Sequence, residues 1–149
     1  MSGAGLTAAD LVGTWRLRSW VAAAADGSTI EPFGPTPLGY VVYTDDGHMI
    51  TTISEPDRDA DDAGLPSGSA AAASLVTSTF AAYSGAFQVN GDDVIHSVEM
   101  SLLPDWIGTE QRRHIELSDD GRTLTLSTDP MVAGELRFVH SLSWHRIDA

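Results

Sequence analysis

Four tight-turn pairs punctuate the chain, at Asp26-Gly27, Asp46-Gly47, Asn90-Gly91 and Asp120-Gly121. Such pairs reach the positive φ angles of two-residue hairpin loops, and most of these lie beside runs of β-forming residues. Leu11 to Ala22, Gly39 to Thr44 and His48 to Ile53 are such runs, and so are Ala86 to Val89 and Val94 to Leu103. Glu110 to Leu117, Arg122 to Thr128 and Leu136 to Arg146 complete the set. About eight strands joined mostly by tight turns form a meander, which leaves two exposed edges unless it closes on itself. Closure at eight strands gives a barrel whose interior can hold one small ligand. Glu31 to Leu38, with three prolines and a glycine, reads as an ordered loop, and the polar stretch Ser54 to Gly68 as an exposed, mobile one. Ser69 to Tyr83 changes character. Its alanines, with Leu75, Val76, Phe80 and Tyr83 at helical spacing, predict one short inserted helix. No repeat or linker divides the chain, so residues 1–149 are expected to form a single domain.

Composition narrows the chemistry. The chain has no cysteine, which removes disulfides, thiolate nucleophiles and thiolate-ligated metals. All eight basic residues are arginines, so no lysine is present to form a Schiff base. A formal charge of −13 repels nucleic acid and anionic lipid, and neither is expected as a partner. No stretch is long and apolar enough for a membrane span, and Met1 to Asp10 lacks the features of a secretory leader, so a cytoplasmic location is expected.

Several motifs, taken in order, point to a family. Gly13-Thr14-Trp15 opens the first strand, and Leu142-Ser143-Trp144-His145-Arg146 closes the last. Between them lie Pro32-Phe33-Gly34, the run from Gly39 to Gly47, Ala82-Tyr83-Ser84-Gly85, and the run from Ser101 to Gln111 around Pro104-Asp105-Trp106. Nearly the whole chain resembles the lipocalin-like domain proteins of bacteria and fungi, a calycin-type group. The resemblance implies a closed eight-stranded antiparallel barrel, all-β apart from the inserted helix. It also implies that Arg146 covers Trp15, as the last-strand arginine covers the first-strand tryptophan in calycins. A guanidinium stacked on an indole would join the two end strands.

Strand alternation selects the candidate site residues. With Trp15 inside, Leu17, Ser19 and Val21 are expected inside too. His96 shares a face with Val98 and Met100, and its ring is a candidate acid or base. Gln111 and Arg113 share a face with Ile115 and Leu117, while Arg112, His114 and Glu116 face solvent. An inward arginine must pair with a carboxylate or meet a ligand's oxygen atoms. Phe138 and His140 share parity with Leu142 and Trp144. Tyr40, Tyr83 and Trp106 offer an apolar body with a polar tip, suited to a mainly apolar pocket. The histidines show no metal-ligand spacing, and no phosphate loop, dinucleotide fingerprint or nucleophile elbow is present.

Together these features predict an intracellular barrel that binds one small hydrophobic molecule. Related barrels include carriers as well as natural-product cyclases. One expectation is a cofactor-free cyclase or isomerase of secondary metabolism, acting on a polyketide or terpenoid. In it His96 would move a proton while Arg113 and Gln111 polarise a carbonyl, and Tyr40, Tyr83, Met100, Trp106, Phe138 and His140 would line the pocket. A carrier or sensor would use the same pocket without turnover. An interaction module would have its barrel filled by side chains. The outward strand faces also permit a homodimer.

Overall fold

The computed structural model describes residues 5–58, 74 and 78–147. A short helix α1 (Ala8–Leu11) leads into β1 (Gly13–Ala24), followed by β2 (Thr29–Ile30), β3 (Leu38–Tyr43) and β4 (His48–Ser54). Next come β5 (Phe80–Asn90), β6 (Asp93–Ser101), a single 3₁₀ turn (Pro104–Trp106), β7 (Glu110–Leu117) and β8 (Thr123–Ser127). The chain ends in β9 (Met131–Ala133) and β10 (Leu136–Arg146). Hydrogen bonding runs β1-β3-β4-β5-β6-β7-β8-β10, and β10 pairs back onto β1 from Trp15↔Arg146 to Ala24↔Phe138. Eight antiparallel strands therefore close a barrel, with β2 and β9 as short appendages on β1 and β10. The β5–β6 hairpin turns at Asn90-Gly91, where Gly91 takes φ 65°, as an Asn-Gly turn requires. Among the described residues no helix is long and apolar enough to cross a membrane.

The helix expected over Ser69–Tyr83 ends earlier than its spacing suggests. Ser78 and Thr79 are helical, but Phe80–Tyr83 already belong to β5, pairing with Ser54–Thr51 of β4. Alanine favours helix by only a few tenths of a kcal/mol over most residues, whereas a full ladder satisfies every backbone group along the edge of β4. Residues 69–73 and 75–77 lie outside the described residues, as do 59–68 of the polar stretch that precedes them.

Two bulges correct the alternation. In β1 the register slips between Leu17 and Ser19, so one extra residue, Arg18, is inserted. Trp15 and Leu17 are buried before the slip, and Ala22 and Ala24 after it. Ser19 and Val21 therefore lose the inward face to Trp20 and Ala22. In β6 the partners of Ser84 and Gly85 are Met100 and Val98, so Glu99 is the extra residue. His96 and Val98 stay inside, but Met100 turns outward and is 65% exposed. Gly85 makes this bulge possible. A Cβ there would lie 1.9 Å from the Ser97 carbonyl oxygen, a clash that only backbone movement could relieve.

One half of the barrel is packed solid. Leu11, Trp15, Tyr43, Met49, Val94 and Leu124 are almost wholly buried there. The Thr7 amide donates to Asp10 at 2.8 Å, capping α1, and Leu11 enters the core. The Trp15 indole donates to the Leu11 carbonyl at 2.9 Å. Arg146 lies 4.1 Å above the Trp15 ring centroid, the contact that the resemblance implies. Its guanidinium donates to the carbonyls of Val12 (2.8 Å), Asp10 (2.9 Å) and Gly121 (3.1 Å). This one side chain fastens α1, the start of β1, the β7–β8 turn and the end of β10.

Candidate functional site

The other half of the barrel is hollow. Its inward residues leave a cavity of about 320 Å³. That is enough for one small organic molecule. Trp20, Phe33, Phe80, Trp106 and Trp144 supply aromatic walls. No carboxylate lines the cavity among the described residues. A barrel filled by side chains along its whole length is thus not what the chain builds.

His96 sits where the packed and hollow halves meet and is 2% exposed. Its Nε2 lies 2.7 Å from the Tyr43 hydroxyl, on the packed side. Its Nδ1 lies 2.7 Å from the hydroxyl of Tyr83, a residue that lines the cavity. Burial first, and then the Arg113 cation, hold the pKa of His96 down to about 3, so the ring is neutral. Burial raises both tyrosines above the usual phenol range, Tyr43 well above it, so both keep their protons.

Arg113 projects from β7 into the cavity. It donates to the Arg112 carbonyl at 2.8 Å and to Gln111 Oε1 at 3.4 Å, and it pairs with no carboxylate among the described residues. Glu99 of β6 is exposed on the outside of the bulge. Gln111 does not line the cavity. It links Arg113 to Thr109, whose hydroxyl donates to the Trp106 carbonyl, so it steadies Arg113 and the 3₁₀ turn rather than polarising a carbonyl itself.

His140 lines the cavity from β10, and its Nδ1 accepts the Trp20 indole proton at 3.0 Å. Burial, with a smaller contribution from Arg113, lowers its pKa as well. Trp106 packs on Tyr83 with ring centroids 5.5 Å apart. The structure thus brings His96, Arg113, Tyr83, Trp106 and His140 around one space. Besides Gln111, it leaves three expected residues elsewhere. Tyr40 points outward, 43% exposed, with its hydroxyl accepting from Arg16 at 3.0 Å. Met100 is turned outward by the bulge, and Phe138 lies beyond the residues that line the cavity. Trp20 and Tyr43 are among the residues missed. Trp20 faces inward only because of the Arg18 bulge, which has no glycine or proline to signal it. Tyr43 could have been preferred to Tyr40, since it alternates in step with buried Val41.

Comparison with known proteins agrees with this architecture. The family model described as the lipocalin-like domain matches residues 12–147, from the start of β1 to just past the end of β10. A 4'-hydroxy-3'-methoxypropiophenone carrier protein (ppsC) of Aspergillus oryzae is 38% identical over 77 residues, a stretch covering 46% of this chain and 68% of that protein. A closed eight-strand barrel, a first-strand tryptophan under a last-strand arginine and a match over nearly the full length lead to one assignment: the chain belongs to the lipocalin-like domain family.

Proposed function

We propose that this protein is a carrier that holds a small, largely apolar aromatic metabolite through one oxygen atom. The observation that carries this reading is the hollow half-barrel itself, with its indole and phenyl walls and an arginine that has no carboxylate beside it among the described residues. An internal cation without a counter-charge favours a ligand oxygen with negative or partly negative character. The related carrier's name specifies a propiophenone, an aromatic ketone of suitable size and chemistry.

Turnover by a cyclase or isomerase is less well supported. Such a reaction needs a base near the substrate. Both nitrogens of His96 are engaged, and its lowered pKa makes it a poor proton acceptor. His140 already accepts from Trp20 at Nδ1. The geometry suits retention more than proton transfer.

Titration of the protein with propiophenone tests the proposal. Saturable one-to-one binding is expected. Arg113→Met, which keeps the apolar stem and removes the charge, should weaken it about tenfold, the scale of one charge-assisted hydrogen bond, with little change in melting temperature. Absence of saturable binding, or equal affinity in the variant, would count against the site.

A further inference from the structure

The Tyr43–His96–Tyr83 chain can be read by counting hydrogens. A neutral histidine carries one ring N–H, and each protonated tyrosine carries one O–H, giving three hydrogens for two hydrogen bonds. One hydrogen is left over, and it must sit on a tyrosine at one end of the chain. If Tyr83 donated to Nδ1, then Nε2–H would donate to Tyr43 and the spare hydrogen would lie on Tyr43. That hydroxyl is sealed in the packed half, does not line the cavity, and has no second partner among the described residues. A buried O–H without an acceptor is strongly disfavoured. If Tyr43 donates to Nε2, then Nδ1–H donates to Tyr83 and the spare hydrogen lies on Tyr83, at the cavity.

The second histidine is fixed in a similar way. An indole N–H can only donate, so His140 Nδ1 accepts from Trp20 and the His140 proton resides on Nε2. That nitrogen has no partner among the described residues. The other polar groups of the lining offer little in return. Its side-chain acceptors are two hydroxyl oxygens, Thr51 Oγ1, whose proton goes to the Tyr40 carbonyl, and Thr128 Oγ1, which already accepts from the His140 amide. Arg113 can only donate. Among the described residues, free donors (Tyr83, Arg113, His140 and the unpartnered Trp144 indole N–H) outnumber the acceptors of the lining.

We infer that the Tyr43–His96–Tyr83 chain orients the Tyr83 hydroxyl hydrogen into the cavity, so that the site selects ligands whose oxygen carries no hydrogen, a ketone or an oxyanion, over the corresponding alcohol. The selection rests on the carrier reading above. A ketone oxygen accepts from Tyr83 and Arg113 and brings no hydrogen of its own. An alcohol oxygen also accepts, but its O–H enters a space with few acceptors, and polar groups left unpaired are what discriminate close analogues.

Two measurements on the intact protein decide it. Long-range ¹H–¹⁵N correlation of histidine-labelled protein reports which ring nitrogen carries the proton. His96 protonated at Nδ1 and His140 at Nε2 are expected; His96 protonated at Nε2 overturns the inference whatever binds. Affinities for propiophenone, 1-phenylpropan-1-ol and propylbenzene then test the selection. The ketone should bind about tenfold more tightly than the alcohol, roughly one net hydrogen bond, and Tyr83→Phe should remove the difference. Equal binding of ketone and alcohol, both tighter than propylbenzene, overturns the selection while leaving the carrier reading in place, and equal binding of all three overturns the oxygen contact as well. Failure of all three to bind overturns both.

Discussion

Trp15→Ala is expected to cost about 3–5 kcal/mol of stability, the range for truncating a fully buried large aromatic residue. The indole is wholly buried at the packed end, donates to the Leu11 carbonyl and supports the Arg146 guanidinium. Its removal leaves a cavity, an unpaired carbonyl and an arginine with nothing to lie on. Trp20→Ala is the natural control. Trp20 lines the hollow half, so its loss enlarges an existing space rather than creating one, and a smaller cost is expected. Urea denaturation with an unchanged slope would measure both. A cost below about 1 kcal/mol for Trp15→Ala would contradict its placement.

Acid should destabilise the protein through His96. The folded-state pKa of about 3 lies below the ordinary histidine value of 6.5, so the unfolded chain binds a proton that the folded one refuses. The stability linked to this group is present above pH 6.5 and is lost as pH falls from there toward 3. Each pH unit within that window costs roughly 1 kcal/mol. His140, also lowered, acts in the same direction. Between pH 6.5 and 4.5 the protein should therefore lose about 2 kcal/mol more than His96→Gln does. Denaturant unfolding at several pH values reads this slope independently of any fixed cost of the substitution. Equal slopes in the two proteins would mean that His96 is protonated in the fold.

Much of the barrel was legible in the sequence because its signals are local. Asn90-Gly91 and the other turn pairs announce hairpins, and Leu124 and Leu126 alternate cleanly against Thr123 and Thr125 along β8. The inward face of β7 was also readable, because Arg113 keeps step with buried Ile115. Bulges were not. Arg18 and Glu99 are ordinary strand residues, yet each shifts every later side chain to the opposite face, which brought Trp20 in and sent Met100 out. Gly85 hinted at the second bulge, since glycine within a strand often marks close backbone approach, but its partner residue is set by register. The early end of the helix was hidden for a similar reason: alanines carry a weak preference, and the ladder from Ser54↔Phe80 onward outweighs it. His96 was legible as an inward residue, but its partners were not. Its two tyrosine partners come from strands 53 and 13 residues away in the chain, and only the register of the closed barrel brings them to its ring.

The four tryptophans provide the most direct measurement of the central claim, that one half of this barrel is hollow and takes a small aromatic ligand. Trp20, Trp106 and Trp144 line the cavity, whereas Trp15 is sealed in the packed half. Indole N–H resonances in a ¹H–¹⁵N spectrum, followed during titration with propiophenone, report on all four at once. The expected result is that the signals of Trp20, Trp106 and Trp144 shift and saturate together while that of Trp15 stays in place. Unmoved signals for all four, or a shift confined to Trp15, would contradict the account.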